Sequence, residues 1–444
     1  MKIYLIQNKS NRKGQMVNKD LAGGFGTATN FGKSIWAKIL LFMKGKGVIM
    51  PSLTLAYLAA IFKNDGHQLK FTNDYQIITK PVDLIIIISS IVDCHYDLQI
   101  ARELKRKYPQ TKIGFIGTFA SLKPDFYQLD SDFIIRGEAE SYFFYNKDLS
   151  NLRGVIDSSL MEKLDELPFP DWHFFPYHFY SYFPTLYNRP FLPIISSRGC
   201  TFSCSHYCPY PLLSGKKWRR RSVVNVIREI EYLIKNFQIK SLLFRDPIFT
   251  LDRKYVKDLA RQLIDKKIKI EWACETRLDC LDEELIDLLY QSGLRAFNVG
   301  IESSNEMVLQ NIKRLPIKNE LQERLIKYCQ RKGINISAFY ILGLPTDTKQ
   351  SIKQTIKYAK YLNTNTAQFT ICTPYPGTSF YNEVKDLIFE KDWEKFDAYT
   401  PVFKLNNLTS EELLKLKEFA HVSYYFRFRW LLKFILKQIK RWLI

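Results

Sequence analysis

Through residues 1–150, short apolar runs alternate with stretches whose apolar residues recur every three or four positions. Lys2–Gln7, Gln68–Asp74, Asp83–Ser90, Lys112–Gly117 and Asp132–Gly137 read as strands, and Ser52–Asn64 and His95–Tyr108 read as helices. Runs of four to eight apolar residues suit buried strands, whereas the three-to-four spacing lines one helix face. From Pro193 the rhythm is more regular. Strands are expected at Pro193–Ser197, Ser241–Asp246, Glu271–Arg277, Ala296–Ser303, Asn335–Leu344 and Ala367–Thr373. Helices are expected between them at Val223–Asn236, Lys254–Lys266, Asp282–Ser292, Ile317–Arg331 and Asp347–Tyr361.

Alternation of this kind predicts parallel sheets covered by helices, so the fold class is α/β. Residues 1–150 are expected to form a Rossmann-like domain that binds ligands at the carboxyl ends of its strands. The six units over 193–380 suggest an incomplete (β/α)6 barrel with its chemistry at the C-terminal face. Residues 151–192 show no sustained period and hold Leu167-Pro-Phe-Pro-Asp-Trp172, so they read as a connector packing aromatics between two domains. Residues 381–444 read as a helical C-terminal extension.

Composition adds constraints. At 444 residues with 46% hydrophobic content, two or three folded domains are expected. No charged segment followed by an apolar one opens the chain, so no secretory signal is expected, and the apolar run around Leu84–Ile91 is too short to span a bilayer. The eight cysteines are therefore expected as thiols or metal ligands in a reducing cytoplasm. A formal charge of +20 calls for an acidic partner or reflects lysines spread over solvated faces.

The sharpest signal is Ser197-Arg-Gly-Cys-Thr-Phe-Ser-Cys-Ser-His-Tyr-Cys-Pro-Tyr210, which places three cysteines within nine residues. Cys200, Cys204 and Cys208 can take three corners of a [4Fe–4S] cluster and leave the fourth iron open. A zinc site with His206 as fourth ligand is the competing metal reading, and three buried thiols the bland one.

The loop resembles the cluster motif of radical S-adenosylmethionine (SAM) enzymes, with one extra residue between the second and third cysteines and an aromatic, Tyr207, before the last. Later segments resemble the same family in the same order: Phe244-Arg-Asp-Pro-Ile-Phe-Thr250, Trp272 through Arg277, Gly300-Ile-Glu-Ser303, Gly343-Leu-Pro345 and Thr373-Pro-Tyr-Pro-Gly-Thr378. The resemblance implies Tyr207, Asp246, Arg277, Glu302 and Ser303 as cofactor-binding residues. Arg277 would grip the methionine carboxylate, a task that suits a guanidinium, and Glu302 would accept ribose hydroxyls. It implies reductive cleavage of SAM to a 5′-deoxyadenosyl radical, with an external reductant such as flavodoxin or ferredoxin. Cys94, Cys274, Cys280, Cys329 and Cys372 lack cluster spacing and read as core or wall residues.

Met50-Pro-Ser-Leu-Thr-Leu-Ala-Tyr-Leu-Ala-Ala60, Asp65-Gly-His-Gln-Leu69 and Arg136-Gly-Glu-Ala-Glu140 look like the cobalamin-binding domain that precedes the barrel in one radical SAM subfamily. Nothing near Asn8–Arg12 matches the Asp-x-His-x-x-Gly cobalt-ligand motif, and Gly117-Thr-Phe-Ala-Ser121 departs from a double-glycine turn. The subfamily implies methyl transfer to an unactivated carbon or to phosphorus of a small-molecule, lipid or lipid-linked saccharide substrate, with radical cyclisation or rearrangement as the alternative.

The tail completes the reading. On a helical wheel, Leu431, Leu432, Ile435, Leu436, Ile439, Trp442 and Leu443 fall in one ~140° arc, with Lys433, Lys437, Lys440 and Arg441 opposite. Such a helix lies in an anionic membrane interface or docks on the protein's own barrel. An RNA substrate is disfavoured, since no appended RNA-binding module is legible. A non-catalytic membrane-associated scaffold with a vestigial cluster is the rival of another class.

Overall fold

The computed structural model describes residues 1–45 and 47–442; for Ser205 and residues 437–442 it describes the backbone alone. The first sheet contains β1 (Lys2–Ile6), β2 (Gln68–Thr72), β3 (Leu84–Ile88), β4 (Lys112–Ile116), β5 (Phe133–Arg136) and β6 (Gly154–Asp157). All pairings are parallel, in the order β2-β1-β3-β4-β5-β6. The order reverses between β1 and β3, which in a doubly wound sheet opens a crevice at the carboxyl ends. The run Leu-Ile-Ile-Ile-Ile of β3 is buried on both faces, as a central parallel strand requires. Five of these strands stand where the apolar runs predict. The sixth, β6, falls inside the expected connector. Its residues are mostly exposed at a sheet edge, so no apolar pattern marks it.

Three helices matter for the site or the surface: α1 (Ile35–Gly45), α2 (Leu53–Asn64) and α3 (Cys94–Lys107). Helix α2 begins where Ser52 accepts a hydrogen bond from the Leu55 amide, satisfying one donor left free at a helix start. Its residues are buried nearly all round, because it lies between layers. The connector then lays Trp172, Phe175 and Tyr180 into the core, with Phe175 4.4 Å from Phe71 of the first sheet. One apolar core runs from that sheet through the connector into the barrel.

The second sheet is the partial barrel, with β7 (Phe191–Ile194), β8 (Ser241–Phe244), β9 (Glu271–Thr276), β10 (Leu294–Glu302), β11 (Asn335–Leu342) and β12 (Thr366–Ile371) in sequential parallel order. The helices between successive strands are α4 (Val223–Phe237), α5 (Arg253–Asp265), α6 (Glu283–Gln291), α7 (Asn319–Arg331) and α8 (Lys349–Leu362). Ser222, Asp252, Asp282 and Thr348 cap four of them through side-chain oxygens. The first barrel strand ends earlier than expected. Ser197 and Arg198 leave it to pair antiparallel with Arg220 and Arg219.

After the barrel come α9 (Ser379–Val384), α10 (Ser410–Tyr425) and α11 (Phe428–Trp442). The stretch before α10 returns to the first domain: Arg12 donates to the carbonyls of Glu394 and Val92, and Ala28 N–H to that of Asp397. Helix α10 covers the free edge of β12, where Tyr425 Oη accepts from the Ala367 amide and donates to its carbonyl. Covering an edge strand removes a template for unwanted pairing. Among the described residues no helix is long and apolar enough to cross a membrane.

Candidate active site

The cysteine loop is closed at its base by the ladder pairing Ser197 with Arg220 and Arg198 with Arg219. Gly199 follows at φ +89°, where a Cβ would meet the Lys217 carbonyl oxygen at 2.0 Å, so only glycine fits. Asp246, at the end of β8, is fully buried and accepts from Ser196 N (2.9 Å), Ser196 Oγ (2.6 Å) and Ser197 Oγ (2.6 Å). Its carboxylate is turned to these three donors and anchors the strand-to-loop turn. Beyond it, the amides of Tyr207 and Cys208 both donate to the Cys204 carbonyl, at 3.1 and 2.9 Å, which curls the loop.

All three thiols are free. Burial raises the pKa of each, and neighbouring thiols add to it: Cys200 raises Cys204, and Cys204 then Cys200 raise Cys208, which burial pushes up to about 12. Without metal the loop therefore holds protonated thiols at neutral pH, and metal binding must displace their protons. Among the described residues no three His, Cys, Asp or Glu side chains converge on one ion position. A cubane takes each thiolate at a separate iron, whereas zinc draws four ligands around one point. His206 Nε2 lies 3.0 Å from Glu383 on α9 and its ring beside Phe380, while its buried Nδ1 has no hydrogen-bond partner. The donor set fits the cluster.

Around the loop stand charged groups from two strand ends and from the stretch after the short helix Glu306–Asn311. Arg277, just past β9, makes a two-pronged contact with Asp279 (3.0 and 2.7 Å) and lies 4.5 Å from the ring centre of Phe202 on the cysteine loop. Glu302 ends β10 at φ +64°, where the register slips. This left-handed conformation is strained for a non-glycine residue, and such strain gathers at functional sites. Arg314 holds it there, 3.4 Å from the carboxylate, while donating to the Gly300 carbonyl at 2.6 Å and reaching Tyr207 Oη at 3.5 Å. Burial raises the Glu302 pKa, and Arg314 and Arg277 oppose the rise. Both arginines also act on Cys200 and Cys204.

The fold thus gathers Cys200, Cys204, Cys208, Tyr207, Arg277 and Glu302, whereas Ser303 turns to Thr355 of α8, Oγ to Oγ1 at 3.2 Å. Arg314 and Phe202 are absent from the sequence reading. A lone arginine after a short helix carries no spacing, and only the fold brings it to Glu302.

A cavity lies where the carboxyl ends of the first sheet face the barrel. Ser89, Gly117 and Thr118 line it from the sheet, and Arg198, Tyr210 and Arg245 from the barrel side. Gly117 sits at φ +107°, where a Cβ would meet the Ser89 carbonyl oxygen at 2.7 Å, so the sheet wall stays flat there. Buried ion pairs frame the cavity. Glu138 binds Arg219 through both oxygens (2.7 and 3.1 Å) and Arg198 at 3.3 Å, and Glu140 binds Arg198 at 3.2 Å. Arg245 joins Glu275 (2.5 Å) to Asp20 (3.4 Å), and burial pushes the Asp20 carboxyl up to about 6. Asn8, buried just past β1, has no partner for either amide atom. The glycine-flattened wall and the polar and charged groups that line it suit a ligand between the two sheets. The acidic pair of Arg136-Gly-Glu-Ala-Glu140 was legible as a motif, but not that its carboxylates clamp the cysteine loop.

Comparison with known proteins extends the picture. Residues 194–359 match the family model of the Radical SAM superfamily. An uncharacterized methyltransferase of Pyrococcus horikoshii is 29% identical over 90% of this chain and 94% of its own length. The anaerobic magnesium-protoporphyrin IX monomethyl ester cyclase of Rubrivivax gelatinosus is 27% identical over 82% of this chain and 72% of its own. Among solved structures, the radical S-adenosylmethionine methyltransferase TsrM of Kitasatospora setae, with cobalamin and a [4Fe-4S] cluster bound, superposes with a TM-score of 0.62. The match covers 87% of this chain and 74% of that one at 16% identity, a likeness of fold.

Proposed function

We propose that this chain, whose residues 194–359 match the Radical SAM superfamily model, is a cobalamin-dependent radical SAM methyltransferase acting on an unactivated carbon or on phosphorus. The cavity between the two parallel sheets carries the reading. Tyr210, two residues past Cys208, lines it from the barrel side, so a corrin held there would stand beside the cluster loop. The likeness of fold to TsrM, whose structure holds cobalamin and a [4Fe-4S] cluster, supports a corrin as the ligand. When bound, the cluster supplies the electron that cleaves SAM, and cobalamin supplies a methyl carrier.

The chain's own residues bind and orient. Cys200, Cys204 and Cys208 would hold three irons and leave the fourth for SAM. Arg277 would exchange part of its contact with Asp279 for the methionine carboxylate. Glu302, set by Arg314, would accept the ribose hydroxyls, with the Tyr207 region near the adenine. Asp246 holds the loop from behind. Arg198, Arg219 and their glutamates exclude water between the sheet and the loop. An external reductant of the flavodoxin or ferredoxin type would deliver electrons. The sequence suggests a small molecule, a lipid or a lipid-linked saccharide as substrate.

Radical cyclisation is the second reading, favoured by the extent of the match to the Rubrivivax cyclase. The test is anaerobic reconstitution with iron, sulfide and cobalamin, followed by incubation with methyl-labelled SAM and reductant. Corrinoid should stay with the protein through gel filtration, and label should pass to it. Corrinoid that washes away, with label left in SAM, contradicts the proposal, and SAM cleavage without label transfer favours the cyclase reading.

A further inference from the structure

Helix α1 breaks the usual rule for a surface helix. Its outward face is apolar: Ile35 is 64% exposed, Trp36 53% and Met43 55%, with Ile39 alongside. At about 100° per residue these four fall within one ~100° arc. The helix is held firmly in this pose, since Glu418 of α10 accepts from the amides of Lys33 and Ser34 at 2.8 and 3.0 Å.

Helix α11 does the same. Trp430 and Phe434 fix it to the barrel, stacked 5.1 Å apart, with the Trp430 indole donating to the Asn365 carbonyl. Arg427 adds bonds to the Lys360 carbonyl and to Asn363. Leu431, Leu432, Ile435 and Leu436 stay on the outside, the last three between 44% and 55% exposed. The expected alternatives of membrane face and barrel docking therefore coexist on one helix. The apolar arc of the wheel is the free one, as far as Leu436. The side chains of Lys437, Ile439, Lys440, Arg441 and Trp442, and all of Leu443, lie outside the described residues.

The two helices meet. Trp36 packs edge-on against Phe426, two residues before α11, at 5.0 Å, and Phe428 next to the junction is 79% exposed. Exposed apolar surface of this extent marks an interaction site. Charge selects the partner: residues 33–46 and 427–442 hold ten Lys or Arg and no Asp or Glu. Lys44, Lys433 and Arg427 are turned inward, toward the Tyr425 ring, the Asn363 carbonyl and the Lys360 carbonyl, and among the described residues Lys33, Lys38 and Arg429 stay exposed beside the apolar faces. An apolar stripe with aromatic residues and a basic margin suits the headgroup layer of an anionic bilayer.

We propose that the joined outer faces of α1 and α11 seat this protein on an anionic membrane. The inference rests on surface geometry and charge alone, so it stands or falls apart from the radical chemistry. The full chain would be floated with vesicles of phosphatidylcholine containing phosphatidylglycerol, and with phosphatidylcholine alone. It should rise with the anionic vesicles, less so as salt is raised, since added salt screens the basic margin. The pair Trp36→Glu with Ile39→Glu, and separately Leu432→Glu with Ile435→Glu, should each weaken binding by about tenfold or more. Because these side chains are exposed, circular dichroism and thermal unfolding should match the parent. Equal flotation of both double variants and parent overturns the proposal. So does a protein that ignores anionic vesicles, whether monomeric or forming a dimer that the α11 pair dissociates.

Discussion

Replacing Cys200, Cys204 or Cys208 singly by alanine should lower SAM cleavage by at least about a thousandfold, since a catalytic unit fails as a whole when one member is lost. The three thiolates sit on one loop whose curl is set by two amides on the Cys204 carbonyl, and each is needed for a separate iron. Loss of one leaves two protein ligands, and the visible absorption of the reconstituted cluster should fall with the activity. The fold should survive, because Cys204 and Cys208 are only partly buried and the loop is held from below by Asp246 and the Arg198–Arg219 ladder. Alanine at Cys329, buried in the barrel wall, is the control. It should leave the absorption per folded chain unchanged while lowering stability modestly. A cysteine-loop variant that keeps full absorption and cleavage would remove that residue from the cluster.

Glu138→Ala should destabilise the protein by about 3–5 kcal/mol, the usual loss when one partner of a buried ion pair is deleted. Glu138 is 3% exposed and serves Arg219 and Arg198 together with the Met161 amide at 2.8 Å. Arg198 keeps Glu140, and Arg219 keeps the carbonyls of Met161 and Ser214. Arg219 is thus left buried without its paired carboxylate. Chemical unfolding should show the lower midpoint, and a shift below about 0.5 kcal/mol, the range of ordinary surface substitutions, would contradict the assignment.

The pH dependence has a definite sign. Burial pushes the Glu138 pKa up, but Arg198 and Arg219 outweigh it and hold the carboxyl below its ordinary value. A depressed carboxylate contributes stability above the unfolded-state value, about 4.3, and loses it as pH falls through the folded-state value. The parent should therefore lose stability on acidification more steeply than Glu138→Ala. Because Glu138 ties the first sheet to the base of the cysteine loop, the variant should also incorporate less iron.

Much of the architecture was legible because parallel strands buried on both faces write themselves as unbroken apolar runs, as in Leu84–Ile88. The barrel helices announced themselves as stretches of helical apolar spacing between those runs. What escaped was set by tertiary contact. Strand β6 is an exposed edge with no apolar pattern, and α1 turns apolar residues outward, so its composition says little about its orientation. Ser197 reads as the end of a strand, yet Asp246 and the pairing with Arg220 pull it into the loop. At the site, motif order located the cysteines, Arg277 and Glu302. Arg314, Arg198 and Glu138 act through distances that no local spacing encodes. The motif marked Asp246, but not that its buried carboxylate meets Ser196 and Ser197.

The central claim is that the cysteine loop holds a cluster with one iron open to SAM. It is tested most directly by electron paramagnetic resonance of the anaerobically reconstituted, reduced protein, recorded with and without SAM. The account predicts an iron–sulfur signal in the reduced protein that changes when SAM is added and is absent from the Cys204→Ala variant. A signal indifferent to SAM, or a protein that binds zinc in place of an iron–sulfur cluster, would contradict it.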